Sequence, residues 1–570
     1  MRDLRHPSTS LRTGSEAVPL KKPVFPGRRI TLCGATSSLA DGRRTELWGL
    51  FMYRIAGVIA LTGALAWLPV CCCAGQSGSE ATGETSSFRP QVHFSPQRNW
   101  TNDPNGLVYF DGEYHLFFQY NPFGDQWGHM SWGHTVSRDL LHWKELPVAI
   151  PEADGEMVFT GSVVVDEKNS SGLCHGGRAC MVAVYTGDRS PATGHREVQD
   201  LAVSQDRGRT WTRYAGNPVL DLHKADFRDP SVTWNEEMQA WLMAVALPKE
   251  RQVAFYRSPN LKEWTRLGTF GPDGATEGVW ECPDLLRVAT KDGRSRMWAL
   301  KVGLNPGSLQ GGSGEQYFLG SFDGRTFTRS SEAGSHGWTD YGKDSYCAIS
   351  YNHLPTGERP TLLGWMSNWD YAKHLPTSPW RGQMTLARRV MLLRDRDGLA
   401  LAQEPVIAGV RDGAGVAIAK ALPGGDGAAD LMKTVAPAEL ELKFDPADAK
   451  SFGVRIYSDA GHWTEVGFNR AGMRFYVDRT HSGLEVAKGF LTRTEAPLAA
   501  HRPFDLHLVI DRSSVEAFAQ SGTISMTNLI FPPGGQIEVR LLREGGERTL
   551  KVTGRSWRLR SALRAAGSTE

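Results

Sequence analysis

Three carboxylates sit in short, turn-rich strings far apart in the chain: Asp103 in "NWTNDPNG", Asp229 in "FRDPSV" and Glu281 in "VWECPDLL". Carboxyl groups without a metal can serve as general acid, general base or nucleophile. A carboxylate and a carboxylic acid on opposite sides of a glycosidic bond hydrolyse it, through a covalent intermediate when they are about 5–5.5 Å apart and with inversion when the gap is wider. Asp103, in a turn rich in backbone donors, is expected to remain ionised, whereas Glu281, between Trp280 and Cys282, is expected to hold a proton. Each acid also has a structural reading. "DPNG" is strong hairpin-turn chemistry, "RDP" suits an Asx-Pro turn, and Glu281 fits a buried structural acid; Trp127 and Trp369 fit a core.

What decides between these readings is whether the chain brings the acids together, and an internal repeat says that it does. The segments "HTVSRDLLHWKEL", "LAVSQDRGRTWTRY", "AFYRSPNLKEWTRL" and "FLGSFDGRTFTRS" each read as an apolar strand, a serine, a turn with Asp or Asn, and an aromatic residue opening another strand. Ser137, Ser204, Ser258 and Ser321 mark the same point at steps of 67, 54 and 63 residues, a spacing suited to four-stranded sheets with uneven loops. A fifth unit fits between Thr361 and Ala402, and sheets repeated radially in this way predict a five-bladed β-propeller. The first strand of each blade lines the central channel. Asp103, Asp229 and Glu281 all fall in that early phase, and the second unit offers the polar "FTGS" (Phe159 to Ser162) there.

Composition narrows the ligand. With 64 Lys+Arg against 62 Asp+Glu the formal charge is +2, which gives no reason to expect a nucleic acid or an acidic polymer. The 16 histidines show no HExxH pairing, there is no CxxC pair and no Walker or dinucleotide glycine motif, so no metal and no cofactor is expected. Eighteen tryptophans and 62 glycines, with few heptad-like runs, favour strands and turns.

Around this core, residues 1–51 read as a doubtful extension, 52–74 as an export signal with an apolar run too short to span a bilayer, and 75–89 as a linker. Cys71, Cys72 and Cys73 leave a lipid anchor open. An exported chain can bond Cys174 to Cys180 across the loop "CHGGRAC". Residues 90–405 form the expected propeller and 406–436 a Gly/Ala-rich linker. Short alternating strands over 437–560 suggest a β-sandwich, with Asp511 and Glu516 as structural or surface acids.

In order along the chain, "NWTNDPNG", "HLFFQYNP", "FTGS", "FRDP", "ECPDL" and the late "IDRSSVEAFAQSG" resemble the β-fructofuranosidases of glycoside hydrolase family 32: invertases, levanases and exo-inulinases. The resemblance implies a five-bladed propeller followed by a β-sandwich, acting on a fructan or sucrose. It implies Asp103 as nucleophile, Glu281 as acid/base and Asp229 as the residue that holds fructose hydroxyls and stabilises the transition state. Arg228 would support recognition, and Trp100, Thr101, Asn102, Gln119, Trp127, Phe159 and Thr160 would line the fructose pocket. Thr101 stands where the family usually has methionine, and Thr160 where it usually has serine. A fructosyltransferase using the same intermediate and a noncatalytic cell-surface fructan-binding protein are the alternatives. Oligomeric state stays open.

Overall fold

Runs such as "CMVAVYTGDR" and "AWLMAVAL" are buried along nearly their whole length, as strands flanked on both faces must be. The computed structural model describes residues 87–189 and 194–563. The readings of 1–51, of 52–74, of Cys71–Cys73 and of most of the 75–89 linker lie outside these residues.

Five antiparallel sheets of four main strands succeed one another in sequence. Their first strands are Asn99–Phe110 (blade I), Glu156–Asp166 (II), Arg228–Asn235 (III), Val279–Ala289 (IV) and Tyr346–Ser350 (V). Each packs against the next and the fifth against the first, which closes a ring around a hub. A two-strand parallel pairing completes blade I: Trp380–Arg381, from late in the chain, lies along Asn99–Trp100. The repeated serine turns have a structural job. Asp139 accepts from the amides of Leu141 and His142 at 3.0 and 2.8 Å, Asn260 from Lys262 and Glu263 at 3.1 and 2.9 Å, and Asp323 from Arg325 and Thr326, both at 2.8 Å. Each such turn joins the third strand of a blade to the fourth.

The expected fifth unit began too late. Its first strand is the five-residue Tyr346–Ser350, ahead of Thr361, and is short enough to be lost among neighbouring Asp, Gly and Ser residues.

After Pro405 two six-stranded sheets face each other over a core that includes Leu440, Val454, Phe468, Leu508, Val515 and Leu541. The stretch expected as a linker over 406–436 carries strands: Val416–Leu422 pairs with Leu550–Arg558 in one sheet, and Gly427–Val435 with Gln536–Glu544 in the other. Both are edge strands with mostly exposed or half-exposed side chains, so their sequence lacks the apolar alternation that marks a covered strand. Asp511 and Glu516 are fully buried where propeller and sandwich meet. His93 Nδ1 lies 2.8 Å from Asp511, its Nε2 is 3.6 Å from Glu516, and Arg388 of blade V lies 3.2 Å from Glu516. Nearby, the buried pair Asp344–Arg479 spans the same seam at 2.6 Å, and the Tyr371 hydroxyl donates to Asp344.

Candidate active site

Every first strand carries a β-bulge at the same height. The pairing register slips between Thr101 and Pro104 in blade I, Val158 and Gly161 in II, Arg228 and Ser231 in III, Glu281 and Asp284 in IV, and Tyr346 and Ile349 in V. In each case three steps on the first strand oppose two on its neighbour, so one extra residue is accommodated and side chains are re-aimed. Asp103 is the second residue of its slipped pair, Asp229 the first of its own, and Glu281 the last paired residue before the slip. Three acids from three blades thus reach one hub by three slightly different routes. Asp229, Cys282 and Cys347 take left-handed backbone angles, with φ of 65°, 47° and 49°.

The acids interact. Asp103 accepts from the Thr160 hydroxyl at 3.1 Å through Oδ2, while its Oδ1 has no hydrogen-bond partner among the described residues. Burial and the charge of Glu281 push Asp103 up to about 7, and hydrogen bonding from Asn102 and Thr160 offsets this only in part. The expectation that Asp103 would stay firmly ionised is therefore corrected. The turn supplies fewer donors than its sequence suggests, and another blade supplies a like charge. Asp229 Oδ2 accepts from the Cys282 amide at 2.9 Å, and burial holds its carboxyl well above the usual range despite Arg228 alongside.

Glu281 is held on both oxygens. Arg228 Nε donates to Oε1 at 3.0 Å, and the Tyr346 hydroxyl donates to Oε2. Arg228 is itself anchored by Glu197 at 2.9 Å and Asp226 at 3.1 Å, so its guanidinium bridges blades II, III and IV. Gly303, paired opposite Glu281, leaves room for this: a Cβ there would lie 3.1 Å from the Tyr346 ring.

Aromatic side chains surround the cluster. Trp127, 40% exposed, meets Phe159 edge-on at 6.2 Å, and Trp369 stacks on Trp100 at 6.0 Å. Of the residues expected around the pocket, Asn102, Phe159, Thr160 and Arg228 cluster with the acids. Trp100, Thr101 and Gln119 stand behind this layer. Trp100 and Thr101 have no exposed surface, Trp100 Nε1 donates to Asn102 at 2.8 Å, and the Gln119 amide is committed to the Val158 carbonyl at 3.0 Å. On the other side of the bulges a cavity of about 500 Å³ follows the hub, lined by Asp229, Cys282, Asp284, Ser350 and Trp234.

Tyr346, Glu197 and the bonded pair Cys282–Cys347 escaped sequence reasoning; Cys174–Cys180, the anticipated pair, is also bonded. The signal for Tyr346 and Cys347 was the repeat itself. "YC" of blade V occupies the bulge position that "EC" fills in blade IV, and it becomes visible once the fifth first strand is placed correctly.

Known proteins match this arrangement along most of its length. The family model for the glycosyl hydrolases family 32 N-terminal domain matches residues 93–405, and that for the family 32 C-terminal domain matches 416–557. A levanase of Bacillus subtilis (strain 168) is 42% identical over 470 residues, covering 78% of this chain and 66% of the levanase. An extracellular exo-inulinase of Aspergillus awamori is 37% identical over 497 residues, covering 80% of this chain and 92% of that protein. The crystal structure of exo-inulinase from Aspergillus awamori superposes with a TM-score of 0.78 at 36% identity, covering 84% of this chain and 99% of the other. Two family models laid end to end over propeller and sandwich leave a single assignment: the chain belongs to glycosyl hydrolase family 32.

Proposed function

We propose that this protein is an exported, retaining β-fructosidase that removes terminal β-D-fructosyl units from levan or inulin and also cleaves sucrose. The observation that carries the reading is the convergence of Asp103, Asp229 and Glu281 on one hub, with Arg228 and Tyr346 fixing the two oxygens of Glu281. Asp103, through its unpartnered Oδ1, attacks the anomeric carbon of the terminal fructosyl unit. In the reactive form the one proton shared by the facing pair Asp103 and Glu281 sits on Glu281, which gives it to the departing glycosidic oxygen and then takes one from the water that releases fructose. Asp229, fixed by the Cys282 amide, accepts hydrogen bonds from fructose hydroxyls that strengthen as positive charge grows on the ring. Trp127 and Phe159 offer apolar faces to the sugar. Export is supported by the short apolar segment within 52–74 and by the extracellular exo-inulinase relative. Among the described residues no helix is long and apolar enough to cross a membrane.

Incubation with sucrose, inulin and levan, with products separated by chain length, tests the reading. Fructose as the sole early product from the polymers is expected, and Asp103→Asn should lower that rate by about 10³-fold or more. Oligomers as first products, or a fully active Asp103→Asn protein, would overturn it.

A further inference from the structure

We propose that the Cys282–Cys347 disulfide is a positioning element for the acid/base, holding the Glu281–Tyr346 pair in register across two blades; this rests on reading the hub as a fructoside-hydrolysing site. Both cysteines are fully buried, and their Cα atoms lie 5.3 Å apart, inside the span a disulfide bridges without moving the backbone. They occupy equivalent positions: each is the first unpaired residue of the bulge in its strand, Cys282 directly after Glu281 and Cys347 directly after Tyr346. The covalent link therefore joins the two bulges one residue away from the side chains that meet. Each cysteine takes the left-handed backbone angle that Asp229, the first bulge residue of blade III, takes as well, so the two halves of the bridge share the local geometry of the bulge. The amide of Cys282 also donates to Asp229, so one bridge sets the direction of Glu281, its hydroxyl donor and the neighbouring acid.

The chemistry of sulfur adds a second reason. The two sulfurs and a carboxylate oxygen of Asp103 all lie within 4.8 Å of one another. As a disulfide they carry no titratable proton; as two thiols they would place ionisable groups beside Asp103 and next to Asp229 and Glu281. Glu281 is faced by Arg228 from blade III, Tyr346 from blade V, Asp103 from blade I and Asp229 from blade III, with Glu197 and Asp226 behind Arg228. A neutral bridge leaves that balance of charge untouched.

The test begins with a non-reducing peptide map of the wild-type protein, which should contain the 282–347 linked peptide; free thiols at both positions would end the proposal. Cys347→Ala and the double variant Cys282→Ser/Cys347→Ser are then compared with wild type in sucrose hydrolysis across pH, alongside a thermal melt. The expected result is a kcat lowered about 10- to 100-fold, a KM within about twofold, and a displaced basic limb in the pH profile. Adding Tyr346→Phe to Cys347→Ala should cost far less than the same change in the bridged protein, because both act through Glu281. A lower Tm with unchanged kcat and pH profile, or fully additive losses, would reduce the bridge to a structural staple. Should Cys347→Ala fail to fold, wild type produced in an oxidising and in a reducing compartment gives the same comparison, with activity expected to track the bridged fraction. A wild-type protein inert toward every fructoside would instead sink the functional reading, whatever the variants do.

Discussion

On the proposed mechanism Asp103 must be ionised to attack, yet burial and the charge of Glu281 lift it to about 7. That value holds while Glu281 is charged, so about 7 is where the facing pair gives up its last shared proton: kcat/KM of the free enzyme should fall as the pH rises through about 7, because no proton is then left for the departing oxygen. Replacing Glu281 by Gln removes both the like charge and the proton donor, so that basic limb should disappear. Its loss is best followed with a fructoside whose leaving group needs no proton, since the rate on sucrose itself should drop by about 10²–10⁴-fold. A limb that stays where it was would mean that some other group sets it. The positions of these acids were readable because each sits in a Pro- or Gly-punctuated string at a shared phase of the repeat. The state of Asp103 was not. A single strand shows the propensity of its own turn but not the depth of the pit or the charges two other blades carry into it.

The bulge is the element that turns a ring of sheets into a site, and it tolerates little crowding. Gly161 follows directly after Thr160, the hydroxyl donor to Asp103, and a Cβ there would lie 2.2 Å from the Val184 carbonyl and 2.6 Å from the Tyr185 Cα. Both obstacles are backbone, so the strand itself has to shift. Gly161→Ala should cost about 1–3 kcal/mol of stability by thermal melting and lower kcat in the protein that still folds. An unchanged kcat would show that Thr160 does not depend on this register. Four of the five blades were legible because the serine turns recur with an Asp or Asn that caps them and an aromatic that follows. Blade V hid its short first strand, and with it Tyr346 and Cys347. The edge strands over 416–435 were missed for a related reason: a strand with almost no covered face has no hydrophobic period to display.

At the scale of the whole molecule, charge buried between propeller and sandwich binds the two. Burial alone would discharge His93, but hydrogen bonds to Asp511 and Glu516, with their negative charges, raise it to about 9. A histidine raised on folding stabilises fully below its ordinary value near 6.5, and that contribution disappears as the pH climbs through about 9. His93→Gln should therefore lower Tm most at pH 6, by the equivalent of about 1.5–3 kcal/mol, and much less at pH 10. An equal loss at both would show that the ring contributes by packing and not by charge. Asp511 and Glu516 were recognisable as acids near turns, but their burial arises from contact between two domains and leaves no mark on either strand alone. The parallel pairing of Trp380–Arg381 with Asn99–Trp100 reaches further still. The edge beside the strand of Asp103 is completed by residues synthesised some 280 positions later, so a chain ending before blade V would hold all three acids while lacking Tyr346 and leaving that edge open. The hub is therefore assembled in full only when the last blade has been made and the circle shuts.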